Sequence, residues 1–178
     1  MEKQPLILAD VYRLIEPGPV VLLTTAHRHR RNVMTQSWHT MIEFEPPIIG
    51  CVIGDGSLSF ELLMASKECV INIPSEDLAG QVVGCGNSSG RNTDKFRAFG
   101  LTPVAAETVA APLIDECFAN LECKVVDTKM VSQYGLFIFQ VVAGQISPSI
   151  EAKHTLHHQG RGTFMIAGET ITLSSSMP

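Results

Sequence analysis

The sequence predicts a mainly β fold, in which several antiparallel strands close into a barrel and a few short helices decorate it. Three observations carry that reading. Short runs rich in β-branched and apolar residues recur along the chain, bounded by glycine, proline or charged turns. Residues 117–125 alternate with period two, the spacing of a strand with one face buried. The helical stretches are short and do not alternate regularly with the strands, which argues against a parallel α/β sheet.

Taken in order, Leu6 to Ile15 reads as a short helix stopped by Glu16-Pro17-Gly18-Pro19. Val20 to Thr25 is a strand. Asn32 to Thr40 pairs back on it after the basic turn His27-Arg28-His29-Arg30-Arg31. Ile48 to Ile53 is a continuous apolar run, as in a strand buried on both faces. Phe60 to Met64 is a short helix and Cys69 to Ile73 a strand stopped by Pro74. Ser75 to Val83 is helical, with Ser75 as N-cap and acids in the first turn. Gly84 to Asn92 reads as a loop, Thr93 to Phe99 as a helix ended by Gly100, and Tyr134 to Ile146 as a long strand pairing with 117–125. Thr163 to Ala167 and Thr170 to Leu173 flank Gly168-Glu169 as a last hairpin.

A chain of 178 residues fits one domain, here residues 1–178, with no linker or repeat. No apolar run approaches the roughly 18 residues that cross a bilayer, and the N-terminus has no signal-peptide pattern, so a cytoplasmic protein is expected. Five cysteines at irregular spacing argue against a disulfide framework. Cys51, Cys69 and Cys123 read as core residues, and Cys85, in the glycine-rich loop, as the most exposed. The net charge of −5 gives no general attraction to nucleic acid or an anionic membrane. The basic turn at 27–31 is a local exception. It reads as a solvated hairpin tip or as a landing patch for the phosphates of a pyridine nucleotide.

Chemistry is concentrated between Asn32 and Ser59. The polar segment Asn32-Val33-Met34-Thr35-Gln36-Ser37 is followed by the apolar strand ending Cys51-Val52-Ile53, then by Gly54-Asp55-Gly56-Ser57-Leu58-Ser59. An extended backbone beside an apolar slot can hold a flat heteroaromatic ring, because its edge offers donors and acceptors whatever the side chains. A glycine-serine turn feeding a helix can hold a phosphate. Ring plus phosphate points to flavin mononucleotide, FMN. Arg91 and Lys95, with Ser89, supply fixed cations and a hydroxyl for the same phosphate. Trp38, the sole tryptophan, reads as core, interface or ring contact.

Asn32-x-Met34-Thr35-x-Ser37-Trp38, the Pro46-Pro47 pair opening a strand, Ser89-Gly90-Arg91-x-x-Asp94-Lys95-Phe96, Ala111-Pro112-Leu113-Ile114-x-Glu116-Cys117 and Asn120-Leu121-Glu122-Cys123-Lys124 together resemble the flavin reductase-like proteins, in their flavoredoxin-type branch. The resemblance runs from about Pro17 to Gly168. It implies an FMN-binding split barrel working as a homodimer. It also implies an NAD(P)H-dependent flavin reductase or flavoredoxin-type carrier, with hydride passing from nicotinamide to flavin N5 and electrons then to a redox partner protein or free flavin. The implied cofactor-binding set is Asn32, Val33, Met34, Thr35, Gln36, Ser37, Cys51, Val52, Ile53, Ser57, Ser59, Ser89, Arg91 and Lys95. No catalytic side chain is assigned, since the cofactor carries the chemistry. The alternatives are a non-catalytic FMN- or haem-binding module for storage or sensing, and a barrel that has lost its ligand. Related proteins often place an aromatic before the closing glycine-rich turn, where this chain has His157 and His158.

Other motifs are decoys. Gly86-Asn87-Ser88-Ser89-Gly90 matches a nucleophile elbow but lacks the strand that must precede it. Gly84-Cys85-Gly86 lacks the third glycine of a dinucleotide fingerprint. His154, His157 and His158 have metal-ligand spacing only if helical, and no metal site is expected.

Overall fold

All strand pairing among the described residues is antiparallel. The structure, a computed structural model, describes residues 3–15, 18–148 and 154–175. Its elements are β1 (Gln4–Pro5), α1 (Tyr12–Ile15), β2 (Val21–His27), β3 (Arg30–Gln36), β4 (His39–Glu43), β5 (Ile48–Val52), α2 (Leu58–Ser66), β6 (Glu68–Ile73), α3 (Ala79–Asn87), α4 (Lys95–Ala98), β7 (Pro103–Val104), β8 (Leu113–Ile114), β9 (Ala119–Asp127), α5 (Val131–Tyr134), β10 (Leu136–Ile146), β11 (Leu156–Gly160) and β12 (Thr163–Ile166). The main sheet runs β3-β2-β6-β9-β10-β5-β4, with β1 added on β10.

The sheet curls around a core of Val21, Leu23, Ile49, Ile71, Leu121, Phe137 and Phe139, all fully buried. A second layer forms outside β2 and β3, where Leu22 and Val33 meet Leu78 and Val82 at α3, Phe96 of α4 and Ile114. Period two makes this possible, since each strand sends alternate side chains to the two layers. The buried amides of Asn72 and Asn120 tie residues 112–114 to the sheet. Asn72 Oδ1 accepts from Ile114 N–H (2.9 Å) and from Asn120 Nδ2 (2.7 Å).

The closed barrel expected from the strand count is corrected here. β3 and β4 end the sheet path, and no ladder joins them. The seam is bridged instead by one side chain. Gln36 Nε2 donates to Val52 O (2.7 Å), while Gln36 Oε1 accepts from Ser37 N–H (2.8 Å) and Trp38 N–H (3.0 Å). That amide breaks the single strand predicted over 32–40 into β3 and β4.

Other boundaries move too. The first helix is a 3-10 turn at Leu8–Asp10 followed by α1, and its predicted stop at Glu16-Pro17 lies outside the described residues. Ser75 does not cap a helix N–H, because a 3-10 turn at Glu76–Leu78 precedes α3. α3 continues to Asn87, through the predicted loop, and buries Cys85. The expectation that Cys85 is exposed is therefore wrong. All five cysteines are free and buried, and burial pushes the Cys51 thiol up to about 12 and that of Cys85 to about 11. The final hairpin is β11–β12, turning at Arg161-Gly162 rather than Gly168-Glu169. Among the described residues no helix is long and apolar enough to cross a membrane.

Candidate functional site

β3 holds the predicted ring segment at one end of the sheet path. The register Thr25↔Asn32, Leu23↔Met34 and Val21↔Gln36 puts Asn32, Met34 and Gln36 on the inner face. Val33 and Thr35 point to the outer layer, where Val33 is fully buried and Thr35 Oγ1 donates to Val82 O (2.5 Å). Protein partners thus occupy most of these side chains. What β3 leaves open is its outer backbone edge, which pairs with no strand. Ser37 and Val52 are half-buried, and Trp38 is 72% exposed, so it is not core. Cys51 and Ile53 lie wholly in the core, with Cys51 Sγ accepting from Gln36 Nε2 (3.1 Å). The side chains of Val33, Cys51 and Ile53 therefore line no slot. Any contact they make is through backbone.

Of the predicted phosphate residues, Ser57, Ser59 and Arg91 meet at the start of α2. Ser57 is its N-cap: Ser57 Oγ accepts from Phe60 N–H (3.1 Å) and donates to Gly54 O (3.0 Å). Ser59 is fully buried and accepts from Asn32 Nδ2 (2.9 Å). The loop at 88–92 presses on the same spot, since a Cβ at Gly90 would lie 1.9 Å from Asn32 Oδ1. That contact brings Arg91 over α2. Its guanidinium donates to both oxygens of Glu61 (2.7 and 3.1 Å) and reaches Gly56 O at 3.5 Å. Hydrogen bonding from Arg91 holds the Glu61 carboxyl below its usual range, with the charges of Arg91 and Arg30 acting the same way. Ser89 Oγ accepts from Arg91 N–H (3.3 Å).

Lys95 does not join this corner through its charge. It is buried, and its ammonium donates to Cys85 O (2.7 Å), in the last turn of α3 where the helix dipole favours a cation. Burial lowers its pKa. Replacing Ser57 by alanine should remove the cap and cost about 1 kcal/mol of stability, read as a lower urea midpoint at unchanged slope.

Glu61 was missed by the sequence reading. Its only local signal is an acid in the first turn of a helix. His39 was missed as well. It stands opposite Cys51 on the core side, and neither ring nitrogen has a hydrogen-bond partner. Burial pushes its pKa down to about 4.

The three histidines do not converge. His154 Nδ1 meets Ala167 O (2.5 Å), His157 Nε2 meets Thr155 Oγ1 (2.9 Å), and the His158 ring lies 5.1 Å from that of Phe164. His157 and His158 sit on a strand, so helical ligand spacing does not apply. Among the described residues no cluster of His, Cys, Asp and Glu could hold a metal ion. The nucleophile-elbow match runs through the end of α3, with no strand before it. A cavity of about 970 Å³ between the N-terminal segment, Phe118 and Ala167–Thr170 includes none of the candidate site residues.

The outer face of β4, β5 and β10 is largely apolar and half-buried, with Thr40 and Gln140 among Ile48, Val52, Leu136 and Ile138. Ile42 is exposed there, and a Cβ at Gly50 would touch both Ile42 Cδ1 (3.0 Å) and Leu136 Cδ1 (3.6 Å). Trp38 and Tyr134 are exposed at its end, where Val52 N–H donates to Trp38 O and Ile53 N–H to Gly135 O (both 2.9 Å).

Comparison with known proteins bears on the family and the fold. Residues 12–165 match the flavin reductase like domain. The chain is 30% identical over 182 aligned positions to YddH of Escherichia coli (strain K12), covering 94% of this chain and 96% of that protein. An FMN-binding domain of a flavin reductases-like enzyme from Shewanella baltica OS155 superposes with a TM-score of 0.92 at 24% identity, covering 97% of this chain and 98% of that one. Flavoredoxin of Desulfovibrio vulgaris (Miyazaki F) gives a TM-score of 0.79 at 24% identity over 89% and 91% of the two chains. The fold shared with such structures is the split barrel, its sheet open between β3 and β4.

Proposed function

The chain belongs to the flavin reductase-like family, and from that premise we propose that it binds FMN along the open edge of β3 and acts as an NAD(P)H-dependent flavin oxidoreductase or flavoredoxin-type electron carrier in the cytoplasm. One observation carries the reading. Asn32, Ser57, Ser59, Gly90 and Arg91, from three separate stretches of chain, meet at one corner beside an unpaired strand edge. The donor set fits a phosphate-bearing flavin. A helix start capped by Ser57 supplies backbone N–H groups, Ser89 supplies a hydroxyl, and Arg91 keeps further N–H groups beyond those given to Glu61. Gly90 lets the backbone close on Asn32 as no other residue could.

Bound FMN would supply two-electron acceptor chemistry that no side chain here provides. The residues bind and orient. Glu61 aims Arg91 at the corner, and the β3 edge offers fixed donors and acceptors to a ring. A second copy of the chain is proposed to cover the apolar face of β4, β5 and β10, forming a homodimer and shielding the ring edge beside Trp38 and Val52. Either a redox partner protein or free flavin would take the electrons.

The test is to titrate the apoprotein with FMN, then add NADH and NADPH without oxygen. Tight binding followed by bleaching of the flavin absorbance supports the reductase. Binding without bleaching shifts the reading to a carrier reduced by another protein. No binding overturns it. Arg91→Ala should weaken FMN by about 1–2 kcal/mol while leaving riboflavin nearly unchanged, because only FMN carries the phosphate. Equal losses for both ligands would place the phosphate elsewhere.

A further inference from the structure

The basic segment at 27–31 is not used by the FMN corner, yet it adjoins it. β2 ends at His27 and β3 begins at Arg30, so Arg28 and His29 form a two-residue hairpin turn. Arg28 sits at φ +55°, where glycine or asparagine is the usual choice and an ordinary side chain costs about 1 kcal/mol.

The neighbours are also cationic. Arg91 grips the Glu61 carboxylate, and the charge of Arg30 adds a smaller pull that lowers the same carboxyl. On the other face of β3, the Arg31 guanidinium stacks over the Phe96 ring at 5.0 Å. Neither Arg28 nor Arg30 has an ion-pair partner among the described residues. The acids nearest in sequence to this corner are Asp55, Glu61 and Asp94. Glu61 is spent on Arg91, and Asp94 Oδ1 caps α4 by accepting from Arg97 N–H. Asp55 is the remaining exposed acid of the three, and Arg28 and Arg30 make the hairpin tip a local positive patch in a chain of net charge −5.

β3 serves as a ruler. From Arg30 to Gln36 it runs about 20 Å at roughly 3.4 Å per residue. The ring segment lies at its far end, the phosphate corner beside its start, and the basic tip just beyond. A dinucleotide with its nicotinamide over the ring, extended back along this edge, would bring its adenosine end to the tip.

We propose that Arg28 and Arg30 bind the 2′-phosphate of NADPH, making NADPH rather than NADH the preferred reductant. This rests on the reading that a nicotinamide nucleotide reduces flavin at the β3 edge. Guanidinium suits the task because it pairs bidentately with a phosphate dianion, and NADH has only a hydroxyl at that position.

The test uses the FMN-loaded protein and its Arg28→Ala/Arg30→Ala double variant, with melting temperature and FMN affinity confirming that the fold is kept. Adenosine 2′,5′-bisphosphate and adenosine 5′-monophosphate are titrated by calorimetry. The wild type should bind the bisphosphate at least about tenfold tighter, and the double variant should lose that preference. In turnover, KM for NADPH should rise about tenfold in the variant, with kcat and KM for NADH unchanged. Equal binding of the two nucleotides by the wild type, or a variant that loses both equally, overturns the proposal. If neither NADH nor NADPH bleaches the flavin, the reductase reading fails separately. The calorimetric preference still decides whether the hairpin reads a 2′-phosphate.

Discussion

Replacing Gly90 by alanine is expected to cost about 3 kcal/mol of stability and to weaken FMN binding at least tenfold. The added Cβ would stand 1.9 Å from Asn32 Oδ1 and 2.6 Å from its Cγ. Asn32 cannot simply swing away, because it is only 5% exposed and its Nδ2 is held by Ser59 at 2.9 Å. Two outcomes remain. Asn32 moves and leaves a buried hydroxyl and amide unmatched, or the loop at 88–92 lifts and carries Arg91 off Glu61. Overpacking of this kind costs about 1–3 kcal/mol, and an unmatched buried polar group about as much again. The first route damages stability more, and the second damages FMN affinity more. Measuring the denaturation midpoint and the FMN dissociation constant on one preparation separates them. Adding Asn32→Gly to the variant makes room for the Cβ but leaves the buried Ser59 hydroxyl without its partner, so it should recover only part of the stability and none of the FMN affinity. An alanine variant as stable and as avid as the wild type would mean that the loop is not braced on Asn32.

Legibility in the sequence followed the range of each interaction. The strands at 21–27, 48–52 and 68–73 could be read because apolar content alone specifies a buried strand. The alternation at 117–125 likewise marked β9. The break between β3 and β4 could not be read, since no glycine or proline marks it. It comes from the Gln36 amide reaching Val52, sixteen residues away. Gly84 and Gly86 signalled a loop but lie in α3. Gly84 is required there by packing, since a Cβ would sit 2.5 Å from the Phe99 ring. The same error left Cys85 looking exposed.

The candidate site divides in the same way. Ser57 and Arg91 were chosen as phosphate candidates, and the structure brings them to one corner. Lys95 was chosen for its charge, but a buried ammonium needs an acceptor, and Cys85 O supplies it. The partner of Arg91 is Glu61, thirty residues back, because α2 folds over β3. Six consecutive residues at 32–37 cannot all turn toward one ligand in a strand, so the reading that survives is the one based on backbone.

His39 makes stability depend on pH between about pH 6.5 and pH 4. Burial alone lowers its pKa from 6.5 to about 4, and both ring nitrogens are enclosed without partners. Above pH 6.5 the imidazole is neutral in folded and unfolded chains, so it imposes no penalty. Between about pH 6.5 and pH 4 the unfolded chain takes up a proton that the folded chain refuses, and stability falls with pH. The loss is complete near pH 4 and amounts to about 3 kcal/mol, from roughly 2.5 pH units at 1.36 kcal/mol each. Glu61 and Asp127, whose carboxyls are held below their usual range by Arg91 and Lys129, also lose stability on acidification. Both are retained in His39→Leu, so the difference between variant and wild type isolates the imidazole. The variant should match or exceed wild-type stability at neutral pH, since leucine leaves no unpaired ring N–H. Its urea midpoint should then decline less between about pH 6.5 and pH 4. Parallel declines in the two proteins would show that His39 finds water or a partner once protonated.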